Sequence, residues 1–506
     1  MRRAQQWKFG IDFRQISTEQ VLDPFVPLAE YLSAQSILSN SATVAEYFKY
    51  LPSKPLYNQF ALFAQDDWRI NSRLSLSGGL RWELAPPPHS ATNPQPYTAL
   101  GDLSDPSSLS LAPDGTPMWH ASLGNVAPRL GIAWQANTLK NWATVIRVGG
   151  GVFFDTNNGI ALNAFFGFGF NTFAQYDSVP MPFTSVQQDI SVNVAPPYTN
   201  LDVYPSHLQL PYTLEWNTAI EQGLGQNNIA TISYLGSAGR RLSASQDLDL
   251  STINPLFDEV NYVLGVTSDY DALQAKFQRN VSKGVNALVS YTWSHSIDYG
   301  SNSGELMVTR GNSDFDVRQS FQGGLTWEPP HLQSSGMTSG LLNGWALDGR
   351  LIARTAFPVT LEGNFITDPA TGSEYYANVN LVPNQPTYLY GRQFPGGRSL
   401  NPAAFAYPTG TNQGTAPRNF ARGFGESQVN CAARRDFPFS ERVHLQFRAE
   451  AFNILNHPNF GFVDPNLTDS TFGQATQMLN QSLGTVASQY QQGGPRSMQF
   501  ALRLAF

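Results

Sequence analysis

Leu74-Ser75-Leu76-Ser77-Gly78-Gly79-Leu80-Arg81-Trp82-Glu83-Leu84 alternates between two kinds of side chain from end to end. Successive side chains of a strand leave from opposite faces, so Leu74, Leu76, Gly78, Leu80, Trp82 and Leu84 share one side and Ser75, Ser77, Gly79, Arg81 and Glu83 the other. Just upstream, Tyr57 to Ile70 repeats the pattern, with Phe60, Leu62, Ala64, Trp68 and Ile70 opposite Gln59, Gln65, Asp67 and Arg69. Only Asn71-Ser72-Arg73 separates the two runs, which predicts a hairpin with a tight turn.

The same alternation returns along the chain. Leu130, Ile132 and Trp134 face one way in Arg129 to Trp134; Ala287, Val289, Tyr291 and Trp293 oppose Asn286, Ser290 and Thr292; Phe321, Gly323, Leu325 and Trp327 oppose Gln322, Gly324 and Thr326. Near the end, Val443, Leu445, Phe447, Ala449 and Ala451 oppose Arg442, His444, Gln446, Arg448 and Glu450. Pattern and turn signals together give about 14 strands: near 7–16, 57–70, 74–84, 128–137, 143–154, 212–223, 228–236, 272–282, 285–296, 318–328, 345–361, 429–437, 442–453 and 495–506. Short connections at 71–73, 138–142, 224–227 and 283–284 alternate with long ones at 85–127, 155–211, 237–271, 297–317, 362–428 and 454–494; the stretch 329–344 reads as an oversized turn. This alternation predicts an antiparallel sheet with its long loops on one rim.

Composition points to lipid rather than water. Charged residues make up 14% of 506, with Phe 33, Tyr 20 and Trp 10, against roughly 25% charged in soluble domains. Mean hydropathy is only -0.26, and no apolar run reaches the roughly 18 residues a spanning helix needs. If the chain crosses a membrane, it crosses as strands. A soluble sandwich explains strands and turns but gives no reason for an apolar face opposite a charged one over so many hairpins. In hydrocarbon every backbone group must be paired, so the sheet closes, with its outer face apolar and its interior polar. The whole chain, 1–506, reads as one all-β transmembrane antiparallel barrel domain with Arg81, Glu83, Gln446, Arg448 and Glu450 facing the lumen. Trp68, Trp82, Trp134, Trp293 and Trp327 read as interfacial girdle or lipid contacts.

Other classes find little support. The net charge is -7 with Lys and Arg scattered singly, which argues against a nucleic-acid partner, and Cys431 is the single cysteine. No phosphate loop, dinucleotide fingerprint, HExxH or GxSxG occurs, so no enzyme, metal or cofactor is expected. Gly78-Gly79 and Gly149-Gly150-Gly151 lie in strand patterns, where glycine suits curvature or close backbone approach. His295, Asp298, Asp314 and Asp316 can be drawn together as an oxygen-rich calcium site, but their spacing fits no closed metal motif. Phe165, Phe166, Phe168, Phe170, Phe173 and Tyr176, interleaved with glycine in the loop 155–211, offer a stacking surface for an external ligand or, alternatively, a folded lid or part of the interfacial aromatic girdle. Met1 to Lys8 has basic residues with no apolar stretch behind them and leads almost at once into a strand, which reads as a fragment without a secretory signal.

Five segments carry a family resemblance: Phe60-Ala61-Leu62-Phe63-Ala64-Gln65-Asp66-Asp67-Trp68-Arg69, Leu74 to Glu83, Ser313-Asp314-Phe315-Asp316-Val317-Arg318-Gln319-Ser320-Phe321, Glu450-Ala451-Phe452-Asn453-Ile454-Leu455-Asn456-His457-Pro458-Asn459-Phe460, and Pro495 to Phe506. Spanning nearly the whole chain, they resemble the TonB-dependent outer-membrane receptors, especially the Oar-like barrels. The resemblance implies a barrel of about 22 strands filled by an amino-terminal plug, of which this chain has no plug, no energy-coupling box and about eight strands fewer. It also implies a place in the bacterial outer membrane, a TonB partner, energy-coupled uptake of an unidentified ligand, and a final strand (Phe500, Leu502, Leu504, Phe506) read by the barrel-assembly machinery. A passive porin of 14 strands, or a structural or adhesive barrel, are the competing expectations.

Overall fold

The computed structural model describes residues 4–19, 25–156, 158–299, 301, 310–330, 343–411, 413–438, 440, 443–482 and 492–506. One sheet of 17 strands dominates, three of them (His89–Ser90, Leu201–Val203 and Gly311–Asn312) only two or three residues long. The other fourteen are Ala4–Ser17, Pro55–Arg69, Leu74–Leu84, Val126–Asn137, Thr144–Phe154, Tyr212–Gly223, Asn228–Asp249, Glu259–Ser282, Val285–Asp298, Gln319–Trp327, Trp345–Arg354, Glu426–Pro438, His444–Phe452 and Ser497–Ala505. Each pairs antiparallel with the next in chain order. Every strand expected from the alternation is present. In such a meander successive connections fall on opposite rims, so the short ones at 70–73, 138–143, 224–227 and 283–284 share one rim and the long ones the other. The expected oversized turn at 329–344 lies largely outside the described residues, as does Arg442.

Three expectations need correction. The stretch 237–271 is not a loop: Asn228–Asp249 and Glu259–Ser282 run for 22 and 24 residues and stay paired almost to the tip. At about 3.3 Å per residue each is roughly 70–80 Å long, far more than the ~30 Å hydrocarbon core, so the distal part stands outside the membrane. The polar break at Gly239-Arg240-Arg241 hides this continuation; it is a register shift between Gly239 and Leu242, with Arg241 at φ 55, and not an end. Trp345–Arg354 stops short of the expected 361, because Pro358, which lacks an N–H for the ladder, opens a separate pairing with Ala421–Arg422. Lastly, the stretch between 16 and 57, where the alternation predicts no strand, carries Phe25–Glu30 and Ser41–Tyr50, which join Asn171–Pro180 in a second, three-stranded sheet.

Register carries the alternation across the whole sheet. Lys8 lies opposite Gln65, Gln65 opposite Gly79, Gly79 opposite Arg129, Arg129 opposite Gly151, Gly151 opposite Glu215, Glu215 opposite Ser237, and Ser237 opposite Tyr270. The reverse face carries Trp7, Phe9, Ile11 and Phe13 at one edge and Met498, Phe500, Leu502 and Leu504 at the other, all exposed, Phe9 by 82% and Phe500 by 70%. An apolar sheet face this bare is stable only against hydrocarbon. The buried apolar clusters accordingly lie among the connections on the long-loop side, one around Phe165, Phe170, Tyr204 and Val263 and another around Leu361, Leu400, Phe405 and Phe472.

Candidate functional site: the polar face of the wall

The row from Gln65 to Tyr270 borders a cavity of about 680 Å³ whose walls also include Ser77, Arg81, Phe153 and Asn217. Most of the lining side chains come from one face of seven neighbouring strands, with Ala64, Leu80, Leu130 and Trp216 of the other face at its border, so the polar face is concave there. Glycine makes the room. A Cβ at Gly151 would come within 2.9 Å of Arg129 Cγ, and one at Gly149 within 3.0 Å of Asn217 Oδ1. The triple glycine thus lowers the wall on the polar side, which deepens the groove.

Next to it a second cavity of about 400 Å³ is lined by Asp12, Arg14, Gln59, Glu83, Asp155 and Thr213, and shares Arg81, Phe153 and Glu215 with the first. Arg81 bridges the two: its Nε donates to Glu83 Oε1 at 2.5 Å and its Nη2 to Asp12 Oδ2 at 3.3 Å, while Arg14 binds the same Asp12 oxygen at 3.0 Å. Arg129 stacks over the Phe153 ring, 4.3 Å from its centroid. These pairs line the groove with both signs of charge, suiting a hydrated polar solute.

Gln446, Arg448 and Glu450 occupy the polar face at the far end of the sheet, where Arg448 pairs with Glu450 at 2.7 Å and Gln446 donates to Asp436 at 2.9 Å. The structure does not bring them to Arg81 and Glu83. Arg129, Glu215 and Asn217 lie at the groove but carry no motif of their own; only parity within their strands, followed through the register, reveals them.

The aromatic loop is turned inward. Phe165, Phe168 and Phe170 are buried and Phe166 half-buried, while Phe173 and Tyr176 belong to the separate three-stranded sheet, where Tyr176 donates to Gln187 O at 2.8 Å. Phe165, Phe168 and Phe170 thus form packed core, as a folded lid would, while Phe173 is 46% exposed. The acidic quartet is likewise occupied. Arg418, fully buried, donates to Asp298 Oδ1 at 2.8 Å and to Asp314 Oδ1 at 2.9 Å, Arg422 pairs with Asp316 at 2.5 Å, and His295 contacts Asn312 at 3.0 Å. These arginines stand more than a hundred residues downstream, so spacing gave no sign of them. At the other end of the chain, Phe500, Leu502 and Leu504 lie on the apolar face and Phe506 is 96% exposed.

An antiparallel sheet of this length, bare and apolar outside and charged within a concave groove, is the wall of an outer-membrane β-barrel. The chain belongs to the outer membrane beta barrel domain family, whose model matches residues 1–499, and its place is the bacterial outer membrane. No curated protein matches the sequence. Among solved structures it resembles the copper transporter OprC (10% identity, 100% of this chain and 57% of that one, TM-score 0.41), the ferric enterobactin receptor of Pseudomonas aeruginosa (10%, 98% and 54%, 0.43) and the ferric citrate transporter FecA (10%, 99% and 55%, 0.43). The chain therefore spans about half the length of these transporters and receptors.

Proposed function

We propose that this chain contributes the wall and external loops of a TonB-dependent outer-membrane receptor-transporter, and that its polar groove lines the route of a hydrated solute. The groove carries the proposal: the row from Gln65 to Tyr270 sets Arg81, Arg129 and Glu215 around one concave volume, where a packed interior would need apolar side chains. Energy coupling rests on the sequence resemblance to TonB-dependent receptors, and metal complexes are the first solutes to try because the similar structures include copper, ferric citrate and ferric enterobactin proteins. Lipid surrounds the apolar face, and the barrel-assembly machinery receives the final strand.

Uptake of labelled copper and ferric chelates into cells carrying the gene, with and without TonB, tests this. Loss of uptake on removing TonB supports coupled transport. Uptake that persists without TonB indicates a passive channel, and none for any polar solute indicates a structural or adhesive barrel. Arg81→Cys and Ile220→Cys in a Cys431→Ser background test the groove separately, since Ile220 lies on the apolar face and a membrane-impermeant thiol reagent should label the first and spare the second.

A further inference from the structure

Outside the membrane, the short strand Leu201–Val203 pairs parallel with Val260–Tyr262, which pairs antiparallel with Gln246–Leu248. Asp202 lies opposite Asn261 and Asn261 opposite Asp247, so the three side chains leave from the same face in one row. One step along, Glu259 lies opposite Asp249 on that face. Leu201, Val203, Leu248 and Val260 occupy the other face and are buried in an apolar cluster with Phe257, which holds the strands in this orientation.

Asp202 is only 3% exposed, and its Oδ1 has no hydrogen-bond partner among the described residues. The loop above it carries glycine at the point of contact: a Cβ on Gly167 would collide with the Asn200 carbonyl and come within 3.3 Å of Asp202 Oδ2. Among the described residues, no Lys, Arg or His pairs with Asp202, Asp247, Asp249 or Glu259. Elsewhere in the external region the protein answers buried acids with arginine, as Arg418 does for Asp298 and Asp314. Here it does not.

We propose that Asp202, Asp247 and the Asn261 carboxamide form a calcium site that pins the parallel strand Leu201–Val203 to the projecting hairpin. An isolated buried carboxylate is costly, and a divalent cation offsets both its desolvation and its repulsion by Asp247. Calcium accepts six to eight oxygens in irregular geometry, so two carboxylates, one carboxamide and water suffice. Among the described residues no three His, Cys, Asp or Glu stand together as a metal-ligand set, so Asp249 and Glu259 are not ligands here and the remaining oxygens are water. It is independent of the transport reading.

The test uses the full chain refolded in lipid nanodiscs, stripped with EDTA and titrated with calcium chloride by calorimetry against a magnesium background, with Asp202→Asn and Asp247→Asn alongside. Expected are one saturable calcium event in the unaltered protein, at least a tenfold weaker one in each variant, and heat stability of Asp202→Asn in EDTA equal to or above that of the unaltered protein. Absence of saturable binding in the unaltered protein, or equal binding in both variants, overturns the site. A marked loss of stability of Asp202→Asn in EDTA also overturns it, because the charged carboxylate would then already be satisfied without metal.

Discussion

Replacing Arg418 with methionine should release two external segments from each other while leaving the membrane wall intact. The Arg418 guanidinium donates to Asp298 through both its backbone carbonyl, at 3.0 Å, and Oδ1, at 2.8 Å, and to Asp314 Oδ1 at 2.9 Å. Beside it, Asn419 Nδ2 and Asn312 Nδ2 each donate to the other's carbonyl, at 2.9 and 3.0 Å. Methionine keeps much of the volume but removes the cation between two carboxylates in a buried setting, and breaking such a pair from one side costs about 3–5 kcal/mol. At about 1.4 kcal/mol per factor of ten, hydrogen exchange in Gly311–Asn312 and Ala421–Arg422 should quicken by roughly one hundred to a few thousand fold, provided these amides exchange by local opening. Val285–Asp298 and Gln319–Trp327, held by their own ladder, should keep their protection over the membrane-spanning part. Exchange followed by mass spectrometry in nanodiscs reads both regions at once, and Arg418→Lys should recover only part of the loss because a single ammonium cannot fork between two acids. Unchanged protection in Arg418→Met, or a loss spread evenly over the wall strands, would refute the reasoning.

Leu80→Arg places a charge on the apolar face, where Leu80 is 51% exposed, and should destabilise the wall by about 2–4 kcal/mol if near the bilayer midplane; Ser77→Arg on the opposite face should cost under about 1 kcal/mol, and equal costs in urea unfolding from lipid vesicles would contradict the face assignment. Gly151→Leu should fill the groove against Arg129, lowering access of a thiol reagent to Cys at position 81 (Arg81→Cys, Cys431→Ser background) by several fold; unchanged labelling would show the groove is not where the glycines deepen it. Phe506→Ala removes an almost wholly exposed ring, so it should slow assembly into outer membranes without shifting the unfolding midpoint of the folded protein; a normal assembly rate would remove the final residue from the insertion signal.

Alternation alone settled the all-β class, the fourteen long strands and which residues share a face, because a period of two is a local property that each strand writes into its own sequence. Arg81 and Glu83 were legible as residues of the polar face for that reason, and so were Arg448 and Glu450. What lies beyond the membrane was not legible, since there lipid no longer imposes a polar side and an apolar side, and ordinary cores and ion pairs take over. The hairpin Asn228–Asp249 with Glu259–Ser282 looked like a loop because a bulge at Arg241 interrupts its pattern. The aromatic residues from Phe165 to Tyr176 read equally as a ligand surface or as a folded lid, because composition cannot tell a ring that faces water, as Phe173 does, from rings packed against Trp119 and Tyr204, as Phe165 and Phe170 are. What the acids Asp298 and Asp314 do was not legible, because their partner, Arg418, is brought to them from over a hundred residues away. The groove needed register as well as parity: Gln65, Arg129, Glu215 and Tyr270 come from four different strands, and only the cross-strand pairing aligns them. A strand's own sequence fixes which way its side chains point, but which of them meet is decided by hydrogen bonds to neighbours that the chain supplies elsewhere.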